Sequence, residues 1–397
     1  MKSILILSVD AGYGHRSATN SLIKSFHLCY GTDVECFAVN PIQDPSVPKF
    51  IRTSHQNYDE TVREHANFYQ FTYDITNSKP ISGLVMQAMS MFLYSSVRKL
   101  IVSLRPDAII STFHLYNGAV EAVLHHLRIH IPHYTVITDL AKVHQLWFRN
   151  NSNRLFVGTD QVKGEALHNG YPMERILVSG IPVDPDFQAT NESKIDIQKK
   201  LGWIPGLPTI LAVGGKRVGN LVQQIECIDQ SGYPLQLAIV SGGDDALYDA
   251  LKQKNDWHVP VNIYPFVENM PELLKASDLV VSKAGGLITS ECIACGLPMI
   301  LIDAIPGQET GNAEFLCKQG LAEWAGTQAE MQDSLKRLFA DGQQGLLDRA
   351  NMVRKYSKEH PAETIVKNIW HDISMQTFPE LTDIISNEVS NQTVQVK

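Results

Sequence analysis

Leu279-Val280-Val281-Ser282-Lys283-Ala284-Gly285-Gly286-Leu287-Ile288-Thr289-Ser290-Glu291 passes from an apolar run through paired glycines into a helical pattern. That order is a buried strand, a tight turn and a helix, the unit from which parallel α/β sheets are built. Glycine at the turn lets the backbone approach a ligand closely. The helix start offers unbonded amides and the positive end of a dipole, which suits a diphosphate. Lys283 adds a cation, and the segment Gly285, Gly286, Leu287, Ile288 and Thr289 would line the anion. Glu291 follows about one and a half turns later, where a carboxylate can accept ribose hydroxyls.

The same grammar extends on both sides. Ile210–Val213, Gln236–Val240, Val261–Tyr264 and Met299–Leu301 read as further strands, with helices over Asp244–Lys254, Met270–Ala276 and Asn312–Gln319. Two strand-end loops, Gly214-Gly215-Lys216-Arg217 and Ser241-Gly242-Gly243-Asp244, fall on the same sheet edge. A third, Pro306-Gly307-Gln308-Glu309-Thr310-Gly311-Asn312, presents amide and carboxylate groups suited to sugar hydroxyls.

In the first half, Ser3–Val9, Val34–Val39, Ala108–Ser111, Tyr134–Thr138 and Leu155–Val157 read as buried strands. Asp10-Ala11-Gly12-Tyr13-Gly14-His15 joins the first strand to a helix over Arg16–Phe26. Its Gly-x-Gly-His spacing is not the dinucleotide fingerprint, so no NAD site is inferred. His15 stands at the helix mouth, where an imidazole can serve as a base near neutral pH. The fold class expected is α/β, two Rossmann-like doubly wound domains facing a cleft. The N-terminal domain spans 1–185 and the C-terminal domain 205–360, with a linker inside Pro182–Pro208. Further helices are expected near Ala329–Phe339 and Glu363–Ser374. Residues 361–375 should cross back to the N-terminal domain, and 376–397 should form a loose polar tail.

Composition narrows the function. Among 397 residues, 44% are hydrophobic and 19% charged, as in an ordinary globular protein, and the formal net charge of −8 argues against nucleic acid as a partner. Six scattered cysteines fit a reducing compartment. No long apolar run suggests a membrane span. Cys292 with Cys295, and the histidines 125, 126, 130 and 133, lack the ligand count and arrangement of a metal site, and no metal or resident cofactor is expected.

These motifs, in this order and separation, resemble the monogalactosyldiacylglycerol synthase and processive diacylglycerol glucosyltransferase group, enzymes of the two-Rossmann GT-B type. The resemblance runs from about Ile4 to Trp370 and is carried by Asp10–Arg16, Thr138-Asp139-Leu-Ala-Lys-Val-His144-Gln-Leu-Trp147-Phe148 and Pro306–Asn312. It implies His15 as catalytic base, with Asp10 or Asp139 orienting it. Gly14, His114, His144 and Trp147 would face the acceptor. On the donor side it implies Glu291 on the ribose, Phe266 and Val267 at the uracil, and Gln308, Glu309 and Asn312 at the sugar. Gly215, Lys216, Ser241 and Gly242 would complete that side.

The resulting expectation is an inverting transfer of a hexose from UDP-glucose or UDP-galactose, a co-substrate, to a lipid, foremost diacylglycerol. A polyprenyl-linked or soluble acceptor is the alternative, and a sugar epimerase or sensor on the same fold ranks lower. Between Lys79 and Arg105 the chain carries basic residues and no acidic one. This amphipathic stretch, over 80–105, should contact an anionic membrane through Pro80–Tyr94 while Val97–Leu104 packs inward. The expected location is cytoplasmic, peripheral on the membrane face.

Overall fold

The structure is a computed structural model that describes residues 1–9, 13–54, 75–149, 151–189, 192–216, 218–307 and 309–375. Asp10, Arg217, Gln308 and the tail from 376 lie outside the described residues.

The first domain is built on strands β1 (Lys2–Leu7), β2 (Val34–Val39), β3 (Ala108–Ser111), β4 (His133–Val136), β5 (Arg154–Val157) and β6 (Ile176–Val178). All are parallel, in the order β2-β1-β3-β4-β5-β6. Helices α1 (Tyr13–Tyr30), α2 (Lys49–Ser54), α3 (Lys79–Leu104), α4 (Asn117–Leu127) and α5 (Asp160–His168) connect them. Ile4, Leu5, Ile6 and Leu7 are all fully buried, because helices cover both faces of a parallel sheet and a central strand is then apolar over most of its length.

A short helix in the linker, α6 (Lys194–Lys200), is capped by Ser193. The second sheet contains β7 (Thr209–Val213), β8 (Gln236–Val240), β9 (Val261–Tyr264), β10 (Leu279–Lys283), β11 (Met299–Asp303) and β12 (Ala322–Trp324), ordered β12-β11-β10-β7-β8-β9. Its helices are α7 (Leu221–Asp229), α8 (Asp245–Gln253), α9 (Met270–Ala276), α10 (Gly286–Ala294), α11 (Thr310–Lys318) and α12 (Gln328–Tyr356). The edge strands β6 and β12, three residues each, escape the sequence reading because so short a run carries no period. Helix α12 also runs past the expected end at Phe339. Beyond that point Gly342 and Gln343 take positive φ within the helix.

The final helix, α13 (Pro361–Met375), returns to the first domain. Ile365, Val366, Ile369 and Ile373 are fully buried among Ile4, Ile6, Leu22 and Phe26. Trp370 stacks on Tyr30 with centroids 4.0 Å apart, and Asp372 accepts from the Tyr134 hydroxyl.

In each sheet one place sends consecutive connections to opposite sides: between β1 and β3, and between β7 and β10. A crevice opens outside the carboxyl ends of the strands at such a switch point. Across the domains, the turn after β1 meets the turn after β10.

Candidate active site

His15 lies in the first turn of α1. Its Nδ1 sits 2.8 Å from the Thr112 carbonyl oxygen and 3.2 Å from the Thr138 hydroxyl. A carbonyl can only accept, so Nδ1 carries the proton and the basic lone pair falls on Nε2. The Phe113 ring meets the imidazole edge-on at 5.3 Å. Among the described residues, the end of β3 and the loop after β4 thus orient the ring, and nothing in the sequence signals the carbonyl. Asp139, expected as an orienting acid, bonds elsewhere, while Asp10 lies outside the described residues.

Around the base stands a group of rings. His114 packs on Phe113 at 4.6 Å, on Trp147 at 5.1 Å and parallel to His144 at 5.8 Å. Burial, with the neighbouring His144 and His15, pushes the His114 imidazolium well below its ordinary range, so this ring is neutral. His144 accepts the Leu146 amide at Nδ1 and holds Thr76 with Nε2, opening the turn that buries Trp147. The expected acceptor-side residues His114, His144 and Trp147 do come together. Gly14 lies at the cleft centre, where a Cβ added to it would stand 3.9 Å from Leu287 Cβ.

That contact places the openings of α1 and α10 against each other. No side chain caps α10, and the amides of Gly286, Leu287 and Ile288 make no backbone hydrogen bond among the described residues. Thr289 instead turns its hydroxyl back to the Gly285 carbonyl. The first turn of α10 is thus a half-buried set of unbonded donors at the positive end of a helix dipole.

The loop Thr138–Lys142 crosses from the first domain onto these helix openings. Asn312, fully buried, accepts the amides of Leu140 and Ala141 at 3.0 and 3.2 Å and donates to the Ala284 carbonyl. It also bonds Asp139, whose carboxyl is pushed up to about 6 by burial and by the charge of Glu309, against Asn312 and Lys283. Glu309 ion-pairs with Lys283 and accepts the Ile305 amide. Glu309 and Asn312, expected at the sugar, therefore already hold the cleft wall together.

The Glu291 carboxyl is buried, with no hydrogen-bond partner among the described residues. Burial and then Asp184 push it up to about 8. Gly215 and Gly242 face each other across adjacent loops. A Cβ on Gly242 would lie 2.4 Å from the Gly214 carbonyl oxygen, and Gly242 has φ of +62°, so no other residue fits there. Ser241 is buried and Lys216 exposed. Phe266 is 49% exposed beside half-buried Val267 at the carboxyl end of β9. No cluster of three or more metal-binding side chains occurs among the described residues.

Two parallel-sheet domains facing one cleft, with His15 on one side and an uncapped helix opening on the other, have the GT-B architecture of glycosyltransferases. Residues 15–183 match the family described as monogalactosyldiacylglycerol (MGDG) synthase, and residues 209–369 match the glycosyltransferase family 28 C-terminal domain. The chain thus pairs an MGDG-synthase domain with a glycosyltransferase family 28 C-terminal domain. It is 29% identical to a probable monogalactosyldiacylglycerol synthase 2 of Oryza sativa subsp. japonica, over 90% of this chain and 76% of the relative. It is 26% identical to monogalactosyldiacylglycerol synthase 1 of Arabidopsis thaliana, over 96% and 73%. Among solved structures, MurG of Acinetobacter baumannii shares the fold with a TM-score of 0.59 at 15% identity, covering 94% of this chain and all of that one. A UDP-GlcNAc 2-epimerase from Neisseria meningitidis gives 0.60 at 14%, covering 95% and 100%.

Proposed function

We propose that the chain transfers a hexose from a UDP-hexose to the free hydroxyl of a diacylglycerol, with inversion at the anomeric carbon. The observation that carries this reading is the meeting of α1 and α10: a base with its lone pair on Nε2 opposite an uncapped helix. His15 takes the proton as the hydroxyl attacks the sugar. The amides of Gly286–Ile288, with Lys283 and Lys216 nearby, stabilise charge on the departing UDP, a role fixed dipoles fill without reorganisation. Glu291 binds the ribose, Phe266 and Val267 border the uracil, and Gln308 with Glu309 contacts the sugar. The names of the relatives support diacylglycerol as acceptor and galactose as one candidate sugar. The exposed apolar side chains of α3 support a membrane-borne acceptor.

UDP-glucose and UDP-galactose offered separately with diacylglycerol vesicles should yield a monohexosyldiacylglycerol from at least one. His15→Ala should lower kcat about 10²–10⁴-fold, the usual contribution of a positioned base, while calorimetry shows UDP still bound. Failure of the wild type to label lipid, or full turnover by the variant, would overturn the reading. Conversion of the UDP-hexose in lipid-free buffer would instead mark an epimerase.

A further inference from the structure

Asn117 opens α4 and is fully buried, yet neither its Oδ1 nor its Nδ2 has a hydrogen-bond partner. Nδ1 of His114 is in the same condition. An unsatisfied buried polar group costs about 1–3 kcal/mol, and two of them three residues apart beside the ring group make a candidate ligand contact. The short 3-10 turn His114–Tyr116 runs straight into α4. Side chains three apart in such a turn eclipse each other, so Asn117 shares a face with His114.

Close to that face α4 packs tightly on α3: a Cβ on the next residue, Gly118, would lie 2.2 Å from Ser90 Oγ and 2.9 Å from Met86 Sδ, both on α3. His114 meets Trp147 on the other side, and through Phe113 it adjoins His15. The unsatisfied pair therefore lies beneath the ring group that surrounds His15, next to the helix with exposed apolar side chains.

A diacylglycerol gives its hydroxyl to His15. Its remaining polar atoms are ester oxygens, and the two carbonyls are strong acceptors. We propose that Asn117 Nδ2 and the His114 ring donate hydrogen bonds to these carbonyls, so that Asn117 determines the choice between ester-linked and ether-linked glycerolipids. The inference rests on the diacylglycerol reading above. It goes further by naming what recognises the backbone of the acceptor rather than its hydroxyl.

The test compares 1,2-diacylglycerol with a 1,2-dialkylglycerol of equal chain length in the same mixed micelles, for wild type and Asn117→Leu. The wild type should favour the diacyl substrate about tenfold or more in kcat/KM, the discrimination expected when a site built to donate meets a substrate lacking the acceptor. The variant should bring that ratio near one, chiefly by losing activity on the ester. Its ligand-free Tm should stay level or rise, because an unsatisfied buried amide has gone; a purely structural asparagine would show the reverse. An unchanged ratio, no preference in the wild type, or unfolding of both Asn117→Leu and Asn117→Ala would overturn the proposal. A wild type active on neither lipid would remove the underlying function as well, which is a distinct result.

Discussion

Glu291 shows how a single carboxyl can be shaped by the site it serves. A free glutamate ionises near 4.5, and here burial with Asp184 moves that to about 8. Between those values the folded chain holds a proton that the unfolded chain has lost, so this group makes stability fall as pH rises. Glu291→Gln should therefore raise Tm more at pH 8 than at pH 5 in thermal melts, while weakening UDP binding. Equal Tm changes at both pH values would mean the carboxyl is not held protonated. His15 illustrates what a sequence conceals. Its place after a glycine turn is visible in the string of residues, but its tautomer depends on a main-chain oxygen of Thr112, 97 positions away, and no residue type announces that. Asn117 was likewise silent, since an asparagine at a helix start ordinarily reads as a cap. Lys283 and Glu309 could be seen separately, not as an ion pair, because pairing depends on how β10 and α11 abut.

At the scale of elements, the glycine turns decide what may touch. A Cβ on Gly286 would stand 2.4 Å from the Thr138 carbonyl oxygen in the opposite domain. Gly286→Ala should force the Thr138–Lys142 loop off α10, lowering kcat/KM at least tenfold while the isolated UDP-binding step, followed by calorimetry, changes little; each tenfold corresponds to about 1.4 kcal/mol. The second element is α3, and only part of its expected membrane face is available. Leu84, Met91 and Phe92 are exposed, and Phe50 of α2 packs edge-on against Phe92 at 5.8 Å. Met86 and Leu93 are buried, and Met89 packs on the core. Met91→Asp with Phe92→Asp should reduce sedimentation with anionic vesicles, with micellar activity retained. Unchanged sedimentation would place the membrane contact elsewhere. No helix among the described residues is long and apolar enough to cross a bilayer. The strands buried on both faces were readable from their continuous apolar runs. The inward packing of Val97 and Ile101 was readable too, but the split within Pro80–Tyr94 was not, because Phe50 comes from a different helix.

At the scale of the whole molecule, the first domain is completed by the last described helix. Removing residues from 361 onward would strip Ile365, Val366, Ile369 and Ile373 from its core. Four fully buried aliphatic side chains of this kind carry about 2–5 kcal/mol each when truncated, more than a typical domain has to spare. Such a truncation should aggregate or melt in two separate steps by calorimetry, the C-terminal domain last. Wild-type-like melting would show that α13 is dispensable.

The chain thus passes between its domains twice, and the two passages touch. Gly180 approaches Pro361 so closely that a Cβ there would lie 3.1 Å from the proline ring. Gln188 bonds both the Lys358 carbonyl and the His360 amide. A single tether would permit twist and translation in every direction. Two bound side by side behave as a short axle, leaving the halves one easy rotation, which swings the cleft lips apart while the rear stays in register.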